Sequence, residues 1–288
     1  EFYDTMPNVK AVIDLASEQT GLDIPALCFE ENDKLNITEY TQICMLAVEA
    51  AIYQAIIDKG ITPDVTAGLS LGEYGALIAS GAMTMADAFT VVRKRGIYMQ
   101  EAVPTGGAMT AVLGLDPQVI EDICKKTADE TNSVVSVANY NCPGQIVITG
   151  EKAAVDAAAA ACSEAGAKRC VPLKVSGPFH SAMLKGAGEK LADALESVEI
   201  HDIKVPYITN VTADYVKSPA DVKDYLTQQV SSSVRWQQTI ERLIADGADE
   251  FVEIGPGRSL SGFMRKINRD VKVVNIDKLE DFEKYVNR

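Results

Sequence analysis

Apolar side chains recur at helical spacing over residues 43–57, and Lys59-Gly60 closes the run with a cation and a helix-stopping glycine. That spacing predicts a buried helix. The next segment, Pro63-Asp64-Val65-Thr66-Ala67-Gly68-Leu69, is short and apolar and predicts a strand; helical spacing then resumes over 70–80 and stops at Gly81. The order is strand, sharp turn, helix. Thr84, followed three residues later by Asp87, has the form of a capping box and predicts a helix running to about residue 103. Residues 2–15 already read as a helix, so the chain is expected to begin inside a fold.

Pro104-Thr105-Gly106-Gly107 breaks the helical pattern and marks the opening of a separate module. From there the pattern predicts a strand at 108–115, a helix at 117–131, strands at 134–138 and 145–149, a helix at 153–165 and a strand at 167–173. This β-α-β-β-α-β order predicts a small ferredoxin-like insert. The alanines at 157–161 suit a helix rather than low-complexity sequence. Beyond the insert, helices are expected at 183–195, 234–246 and 263–267, and strands at 205–210, 250–254 and 271–276. The fold class is therefore α/β, with a core formed by residues 1–103 and 176–288 and an α+β subdomain at 104–175. No repeat of solenoid period is present.

A chain of 288 residues, 47% of them hydrophobic, can bury one large core or two unequal ones. Its 27 basic and 41 acidic residues give a formal charge of −14, which repels nucleic acid and anionic lipid, so neither is expected as a partner. An anionic ligand must instead be met by a few well-placed cations. The six cysteines show no CxxC spacing, and two histidines add little toward a metal site, so no metal is expected and the thiols read as free in a reducing compartment. With no long uncharged apolar run, neither a membrane span nor a secretory signal is expected, and the cytoplasm is the expected location.

Candidate chemistry begins at Gly68-Leu69-Ser70-Leu71-Gly72, a GxSxG pattern placed between a strand and a helix, the arrangement that exposes a nucleophilic serine. The alternative is a glycine-rich turn whose serine only caps the helix. At the helix start the backbone N–H of Leu71 can face a developing oxyanion. A serine needs a base, and only His180 and His201 are present. His201 lies in a mixed polar segment, where a solvated imidazole is expected. His180 follows Gly177-Pro178-Phe179 in a fixed loop and is the better base. Arg95 continues the apolar stripe of Ala88, Val91, Val92 and Met99, so a guanidinium points inward and requires an anion. That anion is either a bound carboxylate or a structural Asp or Glu.

Gly68-Leu69-Ser70-Leu71-Gly72-Glu73, Val92-Arg93-Lys94-Arg95-Gly96 and Gly177-Pro178-Phe179-His180-Ser181 together resemble the malonyl-CoA:acyl carrier protein transacylases of bacterial fatty acid synthesis. Asn139-Tyr140-Asn141-Cys142-Pro143-Gly144-Gln145, Val234-Arg235-Trp236 and Glu253-Ile254-Gly255-Pro256-Gly257 resemble further segments of that family, in its order. The resemblance implies an α/β-hydrolase-like core with a ferredoxin-like subdomain. It also implies Ser70 as nucleophile, His180 as base, Arg95 as carboxylate clamp and Leu71 N–H as an oxyanion donor. A backbone carbonyl expected at Arg235 would orient His180, Asn141 would line the substrate channel, and Phe179 would narrow the pocket. Malonyl-CoA and acyl carrier protein become the partners, transfer would be ping-pong, no cofactor is required beyond the CoA thioester substrate, and a monomer is expected.

Two departures accompany the resemblance: Leu69 stands where the family commonly has histidine, and the family's N-terminal strand with its GQGxQ loop is absent before Glu1. Two other readings stay open, a serine hydrolase or thioesterase on the same core and a carrier-binding domain without turnover. An acidic carrier would need basic residues near Ser70, for which Lys168, Arg169, Lys174, Lys185 and Lys190 are candidates.

Overall fold

The computed structural model describes residues 1–175 and 177–288; Ser176, where the sequence places the start of the second core segment, lies outside them. Helices α1 (Phe2–Thr5), α2 (Pro7–Thr20), α3 (Ile24–Phe29), α4 (Thr38–Ile57), α5 (Gly72–Ser80) and α6 (Met85–Ala102) come first. Then follow β1 (Gly107–Leu113), α7 (Pro117–Thr131), β2 (Val135–Cys142), β3 (Gln145–Glu151), α8 (Lys152–Glu164) and β4 (Arg169–Pro172). The remainder holds α9 (Lys185–Glu196), α10 (Val222–Gln229), α11 (Trp236–Ala245), β5 (Glu250–Ile254), α12 (Ser259–Ile267), β6 (Lys272–Ile276) and α13 (Leu279–Val286).

Helix α4 is apolar nearly all round, with Ile43, Leu46, Ala47, Ala50, Ala51 and Ala55 buried, and a helix of that kind belongs in the middle of a core. Among the described residues it is the one helix long and apolar enough to cross a membrane by composition, yet it packs against α2, α5 and α6 in the largest hydrophobic cluster. Over residues 2–15 the expected single helix is divided. Met6 is extended at φ −123° because Pro7 disfavours a helical residue before it, and Pro7 then opens α2. At α6, Thr84 Oγ1 accepts from the Asp87 N–H at 3.1 Å as expected, but the Asp87 carboxylate accepts from the Thr84 hydroxyl at 2.6 Å. Only half of a capping box forms.

The segment between Gly107 and Pro172 makes one four-stranded sheet of order β2-β3-β1-β4, antiparallel throughout. Val112, Ile120, Cys124, Ile146, Ile148, Val155 and Cys162 pack its outer face beneath α7 and α8. Met109, Ala111, Ala138 and Val147 line the opposite face, where Phe179 packs. Strand β2 runs past its expected end at residue 138 because it gains a second partner. Tyr140 N–H donates to the Val234 carbonyl at 2.9 Å and Val234 N–H to the Ala138 carbonyl at 2.8 Å, which ties this sheet to the rest of the chain.

In the larger body, the expected strands at 250–254 and 271–276 form as β5 and β6 and pair in parallel. The expected strands at 63–69 and 205–210 meet only as a bridge between Thr66 and Tyr207. Val65, Ala67 and Leu69 keep strand alternation by facing the cluster around Trp236, Ile240 and Met264. The ladder stops for local reasons: Pro206 has no N–H to give, and the Gly68 carbonyl is taken by the side chain of Asn210 at 2.6 Å.

Candidate active site

Ser70 sits between that bridge and α5 with φ 53°, a left-handed conformation uncommon for a residue with a side chain. Three side-chain contacts hold it there. Asn210 Oδ1 accepts from the Ser70 N–H at 2.6 Å, Gln229 Nε2 donates to the Ser70 carbonyl at 3.0 Å, and Asn210 Nδ2 closes on the Gly68 carbonyl. Gly68 is required by space, since a Cβ there would lie 1.9 Å from the Gly72 carbonyl oxygen, whereas a Cβ at Gly72 would meet nothing within 4 Å. At the start of α5, the N–H of Gly72 bonds to the Leu69 carbonyl and that of Glu73 to the Ser70 carbonyl, while the N–H of Leu71 bonds to none of the described residues. The N–H of Leu71 is therefore an unengaged donor one residue after Ser70, at a helix N-terminus.

His180, with φ 59°, reaches the same hydroxyl, its Nε2 lying 2.8 Å from Ser70 Oγ. Its Nδ1 is 2.9 Å from the Gln229 carbonyl. A carbonyl only accepts, so the proton is on Nδ1 and the lone pair of Nε2 faces the serine. Burial, with the nearby Arg95 cation, lowers the His180 pKa to about 4, while bonds to the Gln229 and Ser232 carbonyls oppose the shift. The imidazole is neutral at neutral pH and can take a proton from Ser70. His201 is half-exposed on the surface, with its Nδ1 3.7 Å from Glu199 Oε1.

The carbonyl that orients His180 is that of Gln229, not Arg235. Arg235 caps α11, and its carbonyl accepts both the N–H and the hydroxyl of Thr239 at 2.9 Å; its side chain is exposed, with the guanidinium 5.8 Å from the Tyr140 ring centre. Gln229 ends α10, where helix geometry leaves carbonyls without partners one turn further on.

Arg95 is 1% exposed. Its Nη1 donates to Gln42 Oε1, and its Nη2 donates to Ser70 Oγ at 3.1 Å and to Gln229 Oε1 at 3.0 Å. Its Nε is buried without a partner, and among the described residues no carboxylate lies within ion-pair distance. Burial lowers its pKa, opposed by Tyr74 and Glu73, but a guanidinium keeps its proton. The side chain is thus a buried cation held by neutral oxygens, one of them the serine hydroxyl.

Ser70, His180 and Arg95 are joined by direct hydrogen bonds, and Leu71 adjoins them along the chain. Phe179 is half-buried between the main core and the inner face of the four-stranded sheet. Asn141 is buried on β2 and makes no hydrogen bond to these three among the described residues. Lys168, Arg169, Lys174, Lys185 and Lys190 are all exposed, with Lys190 3.9 Å from Glu101. Four residues of the site are new relative to the sequence analysis: Gln42, Glu73, Asn210 and Gln229. The signal for two of them was present, because Gln42 and Glu73 are polar residues on the buried sides of apolar helices.

A family model described as an acyl transferase domain matches residues 2–276. The malonyl CoA-acyl carrier protein transacylase of Bacillus subtilis (strain 168) is 45% identical over 285 residues, covering 98% of this chain and 90% of the relative. A crystal structure of MCAT from Streptococcus pneumoniae superposes with a TM-score of 0.95 at 45% identity, covering 99% of this chain and 93% of that one. A type II polyketide synthase acyl-carrier protein in complex with its malonyl-transacylase has a TM-score of 0.95 at 38% identity, again covering 99% and 93%.

Proposed function

Since the chain belongs to the acyl transferase domain family, alongside its malonyl CoA-acyl carrier protein transacylases, we propose that it moves malonyl from CoA to acyl carrier protein through a malonyl ester of Ser70. The protein is an acyltransferase, and its partners are malonyl-CoA and acyl carrier protein. One observation carries the serine route: a single hydroxyl, that of Ser70, lies 2.8 Å from a neutral imidazole and 3.1 Å from a buried guanidinium.

His180 Nε2 takes the Ser70 proton as Oγ attacks the thioester carbonyl, and the Leu71 N–H meets the oxyanion. Collapse expels CoA as its thiol, which receives that proton. In the second half the carrier thiol gives its proton to His180 and attacks the ester, and Ser70 Oγ recovers the proton as it leaves. Arg95 receives the malonyl carboxylate. Its partnerless Nε–H lies on the same guanidinium edge as Nη2, the edge suited to a bidentate carboxylate. Phe179 beside His180 narrows the pocket, and Asn141, buried on β2, lines the way to it.

A hydrolase has no use for a buried cation on its nucleophile, and a binding domain without turnover has no use for the Ser70 to His180 bond. The β-α-β-β-α-β succession and the antiparallel β2-β3-β1-β4 order support a ferredoxin-like subdomain at 104–175 within a hydrolase-like core. The free cysteines support a cytoplasmic setting. Incubation with malonyl-CoA, with and without a carrier protein bearing its phosphopantetheine thiol, tests the acceptor. Malonyl-carrier should accumulate at the rate CoA appears; malonate appearing instead identifies a hydrolase.

A further inference from the structure

Gln229 is the junction of the site. Its carbonyl accepts a hydrogen bond from His180 Nδ1–H, its Oε1 accepts from Arg95 at 3.0 Å, and its Nε2 donates to the Ser70 carbonyl at 3.0 Å and to Glu73 Oε2 at 2.6 Å. An amide has one donor end and one accepting end, while a guanidinium only donates and Glu73 Oε2 here accepts from two N–H groups. The orientation seen satisfies both neighbours. Turned over, the amide would set its NH2 against Arg95 and its oxygen against Glu73.

Glu73 is completely buried on α5 and has no ion-pair partner among the described residues. Its Oε2 accepts twice, from Gln229 Nε2 and from the Asn210 N–H at 3.0 Å, while Oε1 has no partner. Asn210 in turn holds the Ser70 N–H and the Gly68 carbonyl. One oxygen atom therefore restrains both residues that clasp the Ser70 turn, and one of these also touches the guanidinium.

We propose that Glu73 is a positioning residue for malonyl transfer, its Oε2 fixing the Gln229 amide and the Asn210 backbone and, through them, Ser70 and the Arg95 guanidinium. The idea rests on the reading of Arg95 as the malonyl clamp. A residue that only stabilises the fold would affect all substrates alike. A residue that aims Arg95 affects malonyl more than acetyl, because only malonyl carries the carboxylate that Arg95 receives.

Three substitutions separate reach from the accepting oxygen. Glu73→Gln keeps an accepting oxygen at the same distance; Glu73→Asp keeps the carboxyl and falls one methylene short; Glu73→Met has neither. The measurement is the rate of Ser70 loading from malonyl-CoA and from acetyl-CoA, alongside thermal melting. We expect Glu73→Gln to keep a malonyl-to-acetyl ratio near that of the unsubstituted chain, and Glu73→Asp and Glu73→Met to lower it by roughly tenfold, the cost of a lost buried hydrogen bond. An unchanged ratio in Glu73→Asp, or a ratio lost in a folded Glu73→Gln, overturns the proposal. Should Glu73→Met fail to fold, the contrast between Gln and Asp decides. The unsubstituted chain is the control for the function itself: if it does not load malonyl on Ser70, that reading fails first and this one falls with it.

Discussion

Ser70 and His180 both adopt left-handed backbone, at φ 53° and 59°, and that shared strain brings Oγ within 2.8 Å of Nε2. The strain separates two substitutions that both remove the hydroxyl. Glycine visits this region freely, so Ser70→Gly should be more stable than Ser70→Ala by about 1 kcal/mol while neither forms an acyl-enzyme. Denaturant melts of the pair, with a mass assay for loading, check both halves.

His180 sets the acid limit. With its folded pKa lowered to about 4 from 6.5, the basic form persists well below neutral pH, so kcat/KM for malonyl loading should stay level from pH 8 to about pH 5. An acid limb near 6.5 would show a solvated imidazole instead. The sign for stability follows from the same shift. Above pH 6.5 both states are neutral at this residue; as pH falls the unfolded chain takes the proton first, so stability declines progressively toward pH 4.

Arg95→Ala should cost malonyl loading about 2–4 kcal/mol in kcat/KM and acetyl loading much less. Arg95→Lys should recover little, since an ammonium cannot give the two parallel bonds of a guanidinium edge. Equal losses for the two substrates would make Arg95 structural.

The two glycines of GxSxG should behave differently. Gly68→Ala forces a Cβ to within 1.9 Å of the Gly72 carbonyl and should destabilise by about 3 kcal/mol or prevent folding. Gly72→Ala, with nothing within 4 Å, should fold and melt at or above the temperature of the unsubstituted chain.

Legibility in the sequence followed the range of each interaction. Periodicity over 117–131 gave α7 to the residue, because Asp116, Pro117 and Asn132 mark both ends locally. The Ser70 turn was legible in its glycines and flanks, and Arg95 in its place on an apolar stripe. The carbonyl facing His180 was not, because α10 has few apolar positions, and the bond from Gln229 to His180 spans 49 residues. Arg235 was implied by the resemblance alone, and its carbonyl is consumed by Thr239 in the first turn of α11, a loss that the helix expected over 234–246 already entailed. The strands expected at 63–69 and 205–210 show the same limit: the short apolar runs were visible, but the side chain of Asn210 occupying the Gly68 carbonyl was not.

The most direct test of the central claim is intact-mass analysis after brief exposure to malonyl-CoA, followed by peptide mapping and then by addition of carrier protein. A malonyl-serine route predicts one malonyl group per chain, located on Ser70, stable in water and removed by the carrier thiol with formation of malonyl-carrier. An adduct on any other residue, or transfer to the carrier by a Ser70→Ala chain, would contradict it.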